Sequence, residues 1–180
     1  MATERGNAIL TDASRFEVLG LISIALPGPW WWHHEDVNGP NAVGAVFYCF
    51  GQDREHDLGY LAVFDATLDP EEPDISNCDQ SNVSSIDRYL EQGVRRVMET
   101  DGRQFKRWMQ SHLNHRTTGK ALVSAYVGED RGRDRQYIDA RMRIGQRNVI
   151  VAGCFDVSRA DELAAPIWLA MSDAAPLFRQ

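Results

Sequence analysis

Between Ala121 and Phe155 the chain reads as three β-like runs, Ala121 to Val127, Gln136 to Arg143 and Asn148 to Phe155. The turns at Gly128 to Arg133 and at Gly145-Gln146 are short, which is the pattern of an antiparallel meander. No other segment limits the fold as tightly. Side chains alternate along a strand, so Tyr137, Asp139, Arg141 and Arg143 fall on one face of the middle run. Ile138, Ala140, Met142 and Ile144 fall on the other. One packed face and one polar face are expected.

Upstream, Phe16 to Leu26 reads as a strand that Pro27-Gly28-Pro29 stops, and the tryptophans at 30 to 32 begin the next extended segment. Asn38-Gly39-Pro40-Asn41 is a turn signal, and Ala42 to Phe50 is rich in the Val, Phe and Tyr of a buried strand. Gln52 to Leu58 reads as a charged connection and Gly59 to Thr67 as a further strand. Asp69 to Ser81 holds two prolines and five carboxylates without periodicity, so an acidic loop is expected over about residues 69–83. Ser84 or Ser85 then caps a helix whose apolar positions, Ile86, Tyr89, Leu90, Val94, Val97 and Met98, recur at spacings of three and four. Asp101-Gly102 stops it, and Gln104 to His115 reads as an edge strand.

Near the end, Ser158 followed by Asp161 resembles a cap, and Leu163, Ile167, Met171 and Ala174 keep helical spacing. Pro166 is expected to kink that helix or to begin a second one. The order of elements predicts one α+β domain over residues 14–180, preceded by a flexible tail over residues 1–13. A largely antiparallel sheet is covered by the mid-chain helix and the C-terminal helix.

A chain of 180 residues with 43% hydrophobic and 25% charged residues buries about 70% of its extended surface on folding. The longest apolar run, Val18 to Pro29, falls short of the ~20 residues that a membrane helix needs. The N-terminus lacks a basic region followed by an apolar stretch, which makes a cytoplasmic location the expectation. Cys49, Cys78 and Cys154 form no close pairing motif and read as reduced thiols.

The net charge of -7 is unevenly spread. Residues 1–90 carry 4 Lys and Arg against 15 Asp and Glu, whereas residues 91–150 carry 13 against 7. Among the basic residues only Lys106 and Lys120 are lysine, a bias that by composition points to a GC-rich genome. Nucleic-acid binding is disfavoured, because the acidic first half would repel a phosphate backbone.

Two stretches carry a resemblance. Ile22-Ser23-Ile24-Ala25-Leu26-Pro27-Gly28-Pro29-Trp30 is similar to the strand, proline and tryptophan that open PsbP-like and Mog-like α/β/α sandwich domains. Gly119-Lys120-Ala121-Leu122-Val123-Ser124-Ala125-Tyr126 is similar to the strand that follows their first helix. The resemblance covers about residues 14–178 and implies a domain that acts by binding other proteins, including assembly subunits, GTPase partners and chaperone clients. It supplies no catalytic residues.

The strongest local candidate for function is Trp30-Trp31-Trp32-His33-His34-Glu35-Asp36. Tryptophan supplies large apolar area with a polar edge, and His beside carboxylates can bind metal or move protons. On a strand, however, neighbouring side chains point to opposite faces, so only one of His33 and His34 can join a given site. His112 and His115 share a face only if their segment is helical. Cys49 and Cys154 read as buried hydrophobes, Asp53, Glu55 and Asp57 as a solvated turn, and Gly119-Lys120-Ala121 lacks the rest of a phosphate loop.

A non-catalytic protein-binding domain is therefore expected, of accessory, chaperone-like or immunity type, with no cofactor. Its binding surface is expected to combine Trp30, Trp31, Trp32, His33 and His34 with Arg141 and Arg143. The alternative is a small metal-dependent hydrolase using His33, His34 and Glu35.

Overall fold

The computed structural model describes residues 15–40, 42–51, 56–66, 75–79, 81–116 and 119–177. The expected tail over residues 1–13, much of the acidic loop, and Asp53 and Glu55 lie outside the described residues. Among them the strands in chain order are β1 (Arg15–Val18), β2 (Ile22–Ala25), β3 (Trp31–Asn38), β4 (Ala42–Phe50) and β5 (Asp57–Ala66). Helix α1 (Val83–Thr100) follows, then β6 (Gln104–Arg116), β7 (Gly119–Asp130), β8 (Arg133–Ile144) and β9 (Arg147–Asp156). Helix α2 (Ala160–Asp173) and the short β10 (Ala175–Pro176) complete the order.

Seven strands form one antiparallel sheet in the order β3-β4-β5-β9-β8-β7-β6, and a smaller sheet has the order β1-β2-β10. The α+β class, the mid-chain helix, the C-terminal helix and the β7-β8-β9 meander all match the sequence-based expectation. Two details of the meander differ: β7 and β8 run further than their apolar cores, and only Arg131 and Gly132, both with positive φ, remain as the turn.

The first segment departs more. Phe16 to Leu26 is a hairpin rather than a single strand, because Leu19 (φ 56°) and Gly20 (φ 63°) turn the chain in the left-handed region. Gly20 enters that region at little steric cost, whereas Leu19 carries no sequence signal for it. The hairpin lays Val18, Ile22 and Ile24 over the large sheet. Beside it α2 packs on β9, where a Cβ on Gly153 would stand 2.6 Å from Met171 Sδ and 2.7 Å from Ile167 Cγ2. Leu163, Ile167, Ala170 and Met171 of α2 close that core with Phe47, Leu61, Val63 and Val151 from the sheet.

Helix α1 covers the opposite face over β6, β7 and β8 through Val83, Ile86, Leu90, Val94 and Met98. Asn82, not Ser84 or Ser85, precedes its first residue, and Asp79 organises the approach by accepting from the backbone N–H and hydroxyl of Ser81. Before α2, Asp156 caps a 3-10 turn over Val157–Arg159 by accepting from Ser158 N at 2.9 Å, and Arg159 takes the N-cap position of the helix itself without a side-chain cap bond. The helix runs on through Pro166, whose ring removes one backbone donor without ending the element.

Coverage by α1 also corrects the expected polar face of β8. Tyr137 is 2% exposed and Asp139 9%, so the start of that face is interior. One row of the α1 face runs in register across all seven strands: His33, Tyr48, Tyr60, Cys154, Tyr137, Tyr126 and Trp108. Trp108, Tyr126 and Tyr137 stack with centroids 5.7 and 5.0 Å apart.

Candidate functional site

The His-His-Glu-Asp stretch lies on β3, an edge strand among the described residues, and alternation divides it. Trp31, His33 and Glu35 share the α1 face with Phe50, Tyr48 and Val46, while Trp32, His34 and Asp36 oppose Cys49, Phe47 and Ala45 on the α2 face. His33 Nε2 lies 3.2 Å from Glu35 Oε1, and His34 Nε2 lies 3.1 Å from Asp36 Oδ1. Each imidazole also stacks on the neighbouring strand, His33 on Tyr48 and His34 on Phe47. His33 and Glu35 therefore cannot converge with His34 on one ion. Among the described residues no group of three or more His, Cys, Asp or Glu is placed to hold a metal.

The three tryptophans have three environments. Trp32 is 3% exposed and donates from Nε1 to the Pro27 carbonyl at 2.9 Å, so it anchors β3 to the turn before it. Trp31 is half-buried on the α1 face. Trp30 precedes the strand, packs against the α2-side core, and donates from Nε1 to Glu162 Oε1 at 3.2 Å.

Arg141 and Arg143 sit on β8, on the α1 face, with β4, β5 and β9 between them and β3. Four inter-strand steps separate the two strands, about 19 Å at the usual spacing. Arg141 is nearly buried beside Asp139, its Nη2 3.5 Å from Oδ2, and Arg143 Nε donates to the Gly145 carbonyl. The arginines and the tryptophans thus do not form one contiguous patch, and Trp30, Trp32 and His34 belong to the opposite side of the sheet.

Around Trp30 the structure forms a cleft of about 600 Å³ lined by Pro29, Trp30, Gly51, His56, Leu58, Arg159 and Glu162. That volume is in the range of ordinary ligand sites. The turn before β3, Gly51 and His56 beside the ends of β4 and β5, and the start of α2 build it. Arg159 donates from Nε to Glu162 Oε2 at 2.9 Å and pairs with the same oxygen through Nη2. Hydrogen bonds from Arg159 and then Trp30 hold the Glu162 carboxyl below its usual range, so it is ionised at neutral pH. The indole edge is fixed to a carboxylate, which is fixed in turn to a guanidinium.

Sequence reasoning found Trp30 but not Glu162 or Arg159. Nothing local joins positions 30 and 162, because the pairing depends on where α2 crosses the sheet.

Other candidates serve structure. Burial pushes the Cys49 and Cys154 thiols up to about 12, which suppresses the thiolate a nucleophile needs. Asp57 accepts from Gly59 N at 2.9 Å and pairs with the buried Arg135 at 2.9 Å. Lys120 Nζ donates to the Cys78 carbonyl. The His112 segment is strand, so the helical condition for its pairing with His115 fails. On the α1 face, Asp87 accepts from Trp108 Nε1 at 2.7 Å and from Ser111 N at 3.0 Å, which fastens the bulged edge strand β6 to α1.

Comparison with known proteins gives one result of fold. No family model matches the chain, and no curated protein matches it in sequence. Among solved structures, cyanobacterial PsbP (CyanoP) from Synechocystis sp. PCC 6803 superposes with a TM-score of 0.67 at 13% sequence identity. The match covers 96% of this chain and 97% of that one. The architecture is therefore a PsbP-like α+β fold. Among the described residues no helix is long and apolar enough to cross a membrane.

Proposed function

We propose that this chain is a non-catalytic protein-binding domain, of accessory or chaperone-like type, whose partner docks at the Trp30 cleft. The observation that carries the reading is the half-buried Trp30 at a cleft of about 600 Å³, its indole edge tied to Glu162 and Glu162 tied to Arg159. Tryptophan and arginine are the residue types that dominate binding hot spots, and an indole immobilised before binding loses little entropy on contact. The resemblance to PsbP-like domains is in keeping with such a role. The hydrolase alternative is not favoured, since it needs His33, His34 and Glu35 to converge.

Site-specific photocrosslinking tests this. A photoreactive residue at position 30 should capture one defined partner in the source cell, and one at the exposed Val97 on α1 should not. Capture no stronger at position 30 than at position 97 refutes the reading.

A further inference from the structure

We infer that the Trp30 cleft receives a basic, arginine-bearing segment of the partner protein. This rests on the docking reading above and adds the chemistry of the occupant. Trp30 offers an indole whose edge is pinned to Glu162, so its orientation is set before a ligand arrives. An indole face is the best aromatic partner for a cation, and a planar guanidinium both stacks on it and forks a carboxylate.

Among the described residues Glu162 has capacity left. A carboxylate accepts at about four lone-pair positions, and the described residues engage three, one by Trp30 Nε1 and two by the Arg159 fork. Asp161, one residue earlier on the exposed first turn of α2, has no ion pair among the described residues. The Arg159 charge is answered by Glu162, and Asp161 adds a negative charge to the same helical turn. That sign agrees with the whole chain, at -7, and with its first ninety residues, at 4 basic against 15 acidic. A basic segment is drawn toward such a surface and an acidic one is repelled. The apolar walls Pro29 and Leu58 suit the methylene stem of an arginine, which carries its charge on a buried hydrocarbon arm.

The test is calorimetric titration of the full chain with three short Gly-Ser peptides that carry paired arginines, paired lysines or paired glutamates. The arginine peptide should bind most tightly, the lysine peptide several-fold more weakly, and the glutamate peptide not at all. Glu162→Gln, which keeps the shape of the side chain, should weaken arginine-peptide binding about tenfold. Trp30→Leu should do likewise, with a thermal melt to confirm that the variant is folded, and raising salt from about 50 to about 300 mM should weaken binding several-fold. Glutamate-peptide binding, absence of arginine-peptide binding, or binding indifferent to Glu162→Gln overturns the inference. Crosslinking at position 30 separates the two readings: a partner captured there without arginine-peptide binding leaves the docking site standing and removes the basic occupant.

Discussion

The two faces of the seven-stranded sheet are built on different chemistry although every strand contributes to both. The α2 face is continuous hydrocarbon, in which Ile22, Ile24, Phe47, Leu61, Leu163, Ile167 and Met171 are all less than 2% exposed. The α1 face buries polar groups: Ser111, Ser124, Arg135 and Asp139 lie there among Tyr126, Tyr137 and Cys154. Hydrocarbon burial scales with area and with fit, so the α2 face is sensitive to volume. Buried polar groups are costly unless satisfied, so the α1 face is sensitive to the loss of single partners and to pH.

The largest effect expected is on the α2 face. Phe47→Ala should cost about 3 to 5 kcal/mol, because a buried ring is lost and a cavity is left under the hairpin. Urea denaturation measures it, and a loss below about 1 kcal/mol would show that this face is loosely packed. On the α1 face Asp87→Ala removes the common acceptor of Trp108 Nε1 and Ser111 N. It should cost about 1 to 3 kcal/mol, with a change in Trp108 fluorescence as the bulge of β6 comes free. If Asp87→Ala cost as much as Phe47→Ala, the contrast between area and satisfaction would fail.

Asp139 separates the faces by pH. Burial raises its pKa above the ordinary carboxylate value, and Arg141 and the Tyr126 hydroxyl offset that only in part. The fold therefore favours the neutral acid more than water does. Its contribution to stability is therefore fully present below the unfolded-state pKa, is lost as pH rises from there through the raised folded pKa, and stays lost above it. Asp139→Asn should flatten that part of the stability profile, measured by urea denaturation at intervals from about pH 4 to 7. An unchanged profile would mean that Asp139 is ionised in the fold and fully paired with Arg141.

The same contrast explains how much was legible in the sequence. The helix α1 and the meander were legible because their signals are local: Ile86, Leu90, Val94 and Met98 keep one stripe, and Ile138, Ala140 and Met142 keep one face. What covers the other face was not, since Tyr137 and Asp139 look like surface residues until α1 is laid over them. The first hairpin was not legible because its one turn signal, Gly20, sits inside a continuous apolar run beside Leu19, a residue type that does not mark a left-handed turn. Trp30 stood out as one of three adjacent tryptophans, yet its working partners, Glu162 and Arg159, are 132 and 129 positions away. Alternation correctly sent His33 and His34 to opposite faces, while their role as edge residues depended on knowing that β3 is outermost.

At that edge the two faces should become equivalent, and the smallest effects are expected there. His33–Glu35 at 3.2 Å and His34–Asp36 at 3.1 Å have the same spacing and near-equal lengths, one on each face, with both carboxylates more than half exposed. Exposed pairs are worth little in water, so Glu35→Ala and Asp36→Ala should each cost less than about 0.5 kcal/mol and should match one another in urea denaturation. Their consequence is for association instead. An outer strand presents unpaired backbone donors and acceptors, and charge along it discourages pairing with a second chain. Replacing both carboxylates, Glu35→Val with Asp36→Val, should leave the melting temperature nearly unchanged while light scattering shows concentration-dependent association. A large loss of stability from Glu35→Ala alone would mean that the α1 face extends its polar interior to the edge of the sheet, and that β3 belongs to the buried structure rather than to its border.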